Sequence, residues 1–567
     1  MWLLQIAIVA AVLQQPQVQT GVLEGTVTRM GVPPVPLAGV AIKAERMAPA
    51  PETWVAETIT NGGGSFSIRD VPPGRYLIRA SAEGYGTRAS LFSPLGPQTV
   101  TVNVEPGRRV QVPPLALMAA ATIRGRVLDK DDRPLPTIRV EILKLTRDEQ
   151  GRRVWAIIPG EVNPSSLTRR PSPIFTDSNG EFRHPLLGPG DYYLRAILNE
   201  SDSLPLSVYY PETTETRSAS PVTVAEGASV VADIRIGNAR ETPSYRISGT
   251  IAHPALDSGN LIVGLRLVQR PSPDAIVSSP LPWVRGITDD KKGRFELLQI
   301  RPGSYDLIAS VVIDGREQTA TVPVEVRDQD IEGLTLPLRS SVDIKGRLVA
   351  DQEVKDIQFA RRPFATRDPA RSRAGDVRIT LKGGLLNEIE LTPVIDESGT
   401  TFAFDNVPQG DYEIVPTIVP DELPPNPDLY ISDIRAGGRS VFDNGLRAGV
   451  DATEALEVIV ATGGGSIEGR VQGTSAVVAA LILAPESFRR NNATLYRVTY
   501  LPRNGSFKLS GLAPGTYKIF AVPYLNETVP YRSAEFLARH EASALTVTVA
   551  KGAAIGGLRV PFLSLGR

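Results

Sequence analysis

Apolar and polar positions alternate with period two along most of the chain, and one alternating block returns five times. The stretch "GSFKLSGLAPGTYKIFAVP" (505–523) displays it: a Phe, then an aliphatic residue at +5, Gly at +8, Tyr at +10, an aliphatic at +12 and a small residue at +14. The Phe/Gly/Tyr sets are Phe66/Gly74/Tyr76, Phe182/Gly190/Tyr192, Phe295/Gly303/Tyr305, Phe402/Gly410/Tyr412 and Phe507/Gly515/Tyr517. The aliphatics at +5 are Val71, Leu187, Ile300, Val407 and Leu512. Tyr-x-aliphatic-x-small predicts a strand with one buried face, and the Phe opens the strand before it. Phe, the +5 aliphatic, the Tyr and the aliphatic after it should therefore line one core, with the phenol hydroxyl near its rim.

Between the two strands stand "PPG", "GPG", "RPG", "PQG" and "APG". Pro fixes φ for the first central residue, and Gly supplies the positive φ a type II turn requires next. In the fourth copy Pro408 comes one place early beside Gln409, which predicts a different turn type. A second turn, rich in Asx and Gly, precedes each Phe and closes a hairpin, as in "TDSNGEF" and "PRNGSF".

A short leading strand opens every copy: "VLEGTVT", "TIRGRVL", "YRISGTI", "DIKGRLV" and "SIEGRV". Most copies finish on a "VTV-x-x-G" element followed by further alternation. No long amphipathic helix interrupts them. This predicts an all-β, elongated multi-domain chain of tandem Greek-key, prealbumin-like β-sandwich domains, with borders at 21–118, 119–240, 241–338, 339–462 (carrying an insertion) and 463–567. The joins hold few large apolar residues, so small interfaces between neighbours are expected.

The pattern G-x-V…G-x-F-x-(x)4-P-G-x-Y-x-L-x-A resembles the carboxypeptidase regulatory-like domain, a transthyretin-like sandwich related to the collagen-adhesin B-type repeat and grouped with carbohydrate-binding-like folds. It spans nearly all of the chain after about residue 20 and is weakest in the fourth copy. The resemblance implies the fold and is nearly silent on activity.

Such domains often accompany zinc carboxypeptidases, so a metal site has to be sought. The chain has no cysteine and three histidines, His184, His253 and His540, one each in three different copies and none in an H-x-x-E or H-E-x-x-H pattern. All three are expected in turns or at the surface. No G-x-S-x-G elbow is present, and acid pairs such as Asp131-Asp132 sit in turn contexts. "TDSNGEF" offers Asp177 and Asn179 to calcium, but it lacks the distal Glu of a calcium loop, and an Asx turn is the simpler reading. The expectation is no catalytic residue, no metal and no cofactor.

Charge is balanced, 61 Lys+Arg against 62 Asp+Glu, which gives no basic field for nucleic acid. One basic run, Ala360–Gly375, reads as a solvated loop in the fourth copy. Three tryptophans beyond the N-terminus are the candidate ligand-binding residues: Trp54, Trp155 and Trp283. Trp54 and Trp283 each precede their Phe by twelve positions. A shared register fits a repeated sugar-stacking platform, and it fits core packing equally well.

Residues 1–20 read as a signal peptide, Trp2–Leu13 being apolar but for Gln5, with a buried first strand as the alternative. No stretch reaches the length of a membrane-spanning helix. The sequence thus describes an exported, non-catalytic binding or structural protein, a cell-envelope spacer or adhesion-type repeat protein of the periplasm, cell surface or medium. A carbohydrate-binding protein is the alternative. Expected partners are a polysaccharide or a cell-envelope protein, with a monomeric chain.

Overall fold

The computed structural model describes residues 19–31, 33–47, 54–88, 95–160, 173–198, 205–253, 263–270, 275–277, 283–287, 293–351, 357–359, 377–383, 389–418, 428–451, 455–473, 479–501, 504–523 and 529–563. Within them the chain is an elongated, all-β array of tandem sandwiches, built the same way five times.

The leading strands are Gly21–Arg29, Ala121–Leu128, Tyr245–Ala252, Val342–Ala350 and Gly465–Val471. Each lies inside its sheet, antiparallel to the Phe strand on one side and parallel to a closing strand on the other. The Phe strands are Ser65–Val71, Glu181–Leu187, Arg294–Ile300, Thr401–Val407 and Ser506–Leu512. The Tyr strands, Gly74–Ser81, Gly190–Leu198, Gly303–Ile313, Gly410–Ile418 and Gly515–Pro523, belong to the opposite sheet. The short turn between them carries the chain from one sheet to the other. Alternation must therefore hold on both sides of it, which is what fixes the spacing.

All five motif Phe residues, all five Tyr, and the aliphatics at +5 and +12 are buried, as the alternation predicts. Each sandwich has its own cluster of such residues. The fifth departs in one respect. Its strand Ala479–Pro485 is buried at every position because a second cluster forms on the outer face, under the helix Ala534–Glu541. A strand covered on both faces reads as a continuous apolar run, here "AALILAP". Ser533 caps the helix by accepting the Phe536 N–H.

The array is not a straight rod. Only Ala120 separates the closing strand Leu115–Ala119 from the second leading strand, and Arg29 pairs with Glu226 across that first joint at 3.1 Å. The third unit adds a short parallel bridge, Val277 beside Val154, to an edge of the second. The fourth is hooked to the third by Arg316–Asp343 at 2.9 Å and by Ser341 N–H donating to the Glu317 carbonyl.

The expectation of small joints fails at two places. Leu143, Trp155 and Tyr209 of the second unit close over Ile276 of the third. Leu495 and Ala513 of the fifth unit are part of the apolar cluster of the fourth. The apolar residues come from strands and from turns far from the linkers, so the scarcity of large side chains in the joins misleads.

Candidate functional site

The repeated motif is the first candidate, and its geometry answers to structure. The Phe of each copy is the direct cross-strand partner of a glycine in the leading strand: Gly25–Phe66, Gly125–Phe182, Gly249–Phe295, Gly346–Phe402 and Gly469–Phe507. In the first four units a Cβ on that glycine would lie 2.2–3.1 Å from the Phe Cζ. The ring covers a backbone left bare for it. Each Tyr hydroxyl donates to the carbonyl four residues back: Pro72 (2.6 Å), Gly188 (2.7 Å), Arg301 (2.8 Å), Pro408 (2.9 Å) and Ala513 (2.7 Å). The phenol pins the crossover turn from inside. Burial pushes the Tyr305 and Tyr412 phenols up to about 12, so they remain donors throughout ordinary pH.

Sequence reasoning missed a third recurring feature. The residue at +4, just before the buried aliphatic, is left-handed in all five copies: Asp70 (φ 56°), Leu186 (60°), Gln299 (57°), Asn406 (56°) and Gly511 (66°). It marks a β-bulge, seen as a register shift against the leading strand in every unit. Four different non-glycine residues and one glycine occupy the site, so no residue signature announces it.

The candidate tryptophans come together in one respect. All three lie at the same edge of the repeat, in or beside the strands Val55–Ile59, Arg153–Ile158 and Trp283–Ile287. Trp54 is half-buried, edge-on to Tyr76 at 5.2 Å. Trp155 is 5% exposed, packed on Tyr193 and Tyr209 at the joint with the third unit. Trp283 pairs with Val268 through its backbone.

Of the histidines, His253 and His540 are half-buried. His184 corrects the surface-or-turn expectation. It sits within the Phe strand of the second unit, 1% exposed, with Nδ1 against the Pro185 carbonyl at 2.9 Å. Period two required this, because +2 from Phe182 points into the same core. Asp177 makes the Asx turn weighed for it, accepting the N–H of Asn179 (2.9 Å) and of Glu181 (2.8 Å). Asn61, Asp396 and Asn504 hold the equivalent turn in three other units. Among the described residues no three His, Asp or Glu side chains converge in a metal-binding group. The basic run Ala360–Gly375 lies outside the described residues.

One crevice lies between units. It has a volume of about 1090 Å³ and opens where the second, fourth and fifth meet. Five cations (Arg152, Lys382, Arg439, Arg447, Arg532) and five carboxylates (Glu149, Asp411, Glu413, Asp443, Asp451) line it. Most are already paired: Arg439 with Asp451, Arg447 with Asp411 at 3.0 Å, Arg532 with Glu413 at 3.4 Å and Asp443 with Arg489 at 3.2 Å. The backbone N–H of Arg447 is the first cause of the lowered Asp451 pKa, and Arg439 adds to it. The lining is balanced, so it offers no net field for a charged ligand. It reads as joinery between units.

Fold and motif geometry together define a class, the tandem prealbumin-like β-sandwich proteins. Residues 22–113, in the first unit, match the family model of the carboxypeptidase regulatory-like domain. None of the curated protein sequences matches the chain significantly. Among solved structures, the minor pilin GBS52 of Streptococcus agalactiae is 15% identical, with a TM-score of 0.20 over 38% of this chain and 95% of that one. The major pilin subunit BcpA of Bacillus cereus is 13% identical, with a TM-score of 0.16 over 57% of this chain and 100% of that one. The shaft pilin spaA of Lactobacillus rhamnosus GG is 14% identical, with a TM-score of 0.17 over 38% and 98%. Likeness at that level carries no argument about function.

Proposed function

We propose that the chain is an exported, non-catalytic repeat protein of the cell envelope that works as a spacer. In this reading it carries a binding surface at a set distance as a monomer, with domain borders at 118/119, 240/241, 338/339 and 462/463. One observation carries the proposal: the same three-part lock, of Phe paired across from Gly, Tyr to carbonyl and bulge, recurs in all five units. A lock internal to each unit lets length be added by repetition without a shared core. The polar, largely paired crevice supports a structural part in place of a catalytic one. Pulling the full chain from its ends should give separate unfolding steps, one per unit. A single collapse would overturn the spacer reading, and retention in the cytosol on cell fractionation would overturn export.

Carbohydrate binding is a second reading, supported by the placing of the three tryptophans at one edge of the repeat, with Trp54 half-buried there. Binding on a glycan array that Trp54→Ala abolishes would establish it. A blank array would remove it.

A further inference from the structure

The second and fifth units touch although about 380 residues of chain separate the contacting segments. The tight turn Asp148–Arg152 of the second unit reaches the segment Pro530–Ser533 that leads into the helix of the fifth. Arg532 donates its backbone N–H to the Glu149 carbonyl at 2.8 Å, and burial and then the neighbouring Glu149 carboxylate raise the pKa of the Tyr531 phenol. Gly151 lies so close that a Cβ on it would stand 2.7 Å from Ser533 Oγ. Arg532 also reaches Glu413 of the fourth unit, which ties the seat to the joint between units four and five. The turn is shaped before it docks: Asp148 accepts the Arg152 N–H at 2.9 Å and its Nε at 2.7 Å.

We propose that this turn is a releasable latch. Closed, it draws units two to five into a ring. Open, it lets them extend to the length their serial joints allow. Two features make it the joint that yields. Among the described residues it is the one contact in the ring not backed by a neighbouring linker, so its loss leaves the serial joints in place. It is also mostly polar, whereas the joints between units two and three and between four and five each bury apolar side chains. The purpose of the latch rests on the spacer reading, since an array that can lengthen under tension serves a spacer. Its geometry does not.

Solution scattering of the full chain tests it. Glu149→Lys removes the carboxylate from Tyr531 and sets a second cation beside Arg532. The variant should shift to a larger radius of gyration and maximum dimension, with an unchanged circular-dichroism spectrum. Glu149→Gln, which keeps an acceptor beside the phenol, should scatter as the wild type. In end-to-end pulling the wild type should show a short low-force extension before any unit unfolds, and Glu149→Lys should lose it. Equal dimensions for Glu149→Lys and the wild type would overturn the latch. So would unit-by-unit unfolding without the early extension, and in that case the spacer reading would survive alone.

Discussion

The second and fifth units share one scaffold and fill it differently. At +2 from the motif Phe the fifth carries Leu509, the second His184, and each faces an isoleucine of its leading strand, Ile467 or Ile123. At +4, in the left-handed position, the fifth has Gly511 and the second Leu186. Elsewhere in the lock the two agree. The difference separates what the fold requires from what it tolerates. Phe paired with Gly and Tyr to carbonyl hold in both, while in the second unit the strand between them accepts a buried imidazole and a strained leucine. The second unit is therefore the less comfortable of the two, and its stability should depend on conditions that leave the fifth untouched.

The largest effect should come from breaking what they share. Phe507→Ala or Phe182→Ala removes a buried ring, and in the second unit also uncovers Gly125 beneath it, costing about 3–5 kcal/mol in the unit that carries it. Pulling experiments should show one weakened unfolding step and the others unchanged. If both substitutions cost under about 1 kcal/mol, the ring does not close the sandwich.

A middle-sized effect should separate the units by pH. Burial lowers the His184 pKa below its ordinary 6.5, while the carbonyls of Pro185, Ile158 and Pro159 oppose the shift. No charged group is among the causes. In the unfolded chain the imidazole keeps its ordinary affinity for protons. Above about pH 6.5 both states are neutral and nothing is lost. As pH falls below that, the unfolded state binds the proton first, and stability drops by up to ~1.4 kcal/mol per pH unit until the folded pKa is reached. His184→Leu, the residue of unit five, should remove that slope. Thermal unfolding at pH 7.5 and 5.0 should show the variant gaining on the wild type only at the lower pH. A gain of equal size at both would mean better packing and no linkage.

Why some of this was legible in the sequence and some not follows from how each feature is encoded. The buried positions of every Phe and Tyr strand follow from side-chain direction, which alternation fixes. The same rule, applied strictly, would have buried His184, and only its residue type argued for the surface. The partner of the Phe was visible as the G in each leading strand, but pairing is a register property that one strand cannot show. The bulge was invisible because backbone geometry at +4 is set by the sheet crossover and not by the residue there. The glycine before the Tyr, read as a type II turn residue, has φ near +155° in units one, four and five, Gln409 beside Gly410 notwithstanding. That lies far from the roughly +80° of a type II turn, so the expected turn type is corrected, and the fourth glycine shares its φ with the first and fifth. Joints were illegible for a related reason. Ile276 and Leu495 lie far in sequence from the linkers they serve, and Glu149 joins two units that no linker connects.

The smallest effect concerns the leucine. A β-carbon in the left-handed region crowds the following carbonyl, at roughly 1–2 kcal/mol for most residues and less for Asn, whose short side chain bonds locally. Leu186 accepts that strain at φ 60° because the bulge must precede Leu187, which is 1% exposed in the core. It is itself half-buried, so part of its side chain gains from the contact. Unit four solves the same geometry with Asn406. Leu186→Asn should relieve the backbone and give up some apolar contact, leaving a net gain of about 0.5 kcal/mol in the second unit. Gly511→Leu should run the other way and cost about 1 kcal/mol or more in the fifth, since it adds the strain with no contact arranged to offset it. The two are read as midpoint shifts in urea for the respective units. Opposite signs would establish that the bulge, not the residue in it, is what the repeat preserves. If Leu186→Asn destabilises by as much as a core truncation, the leucine belongs to the lock, and the second unit is less tolerant than the comparison implies.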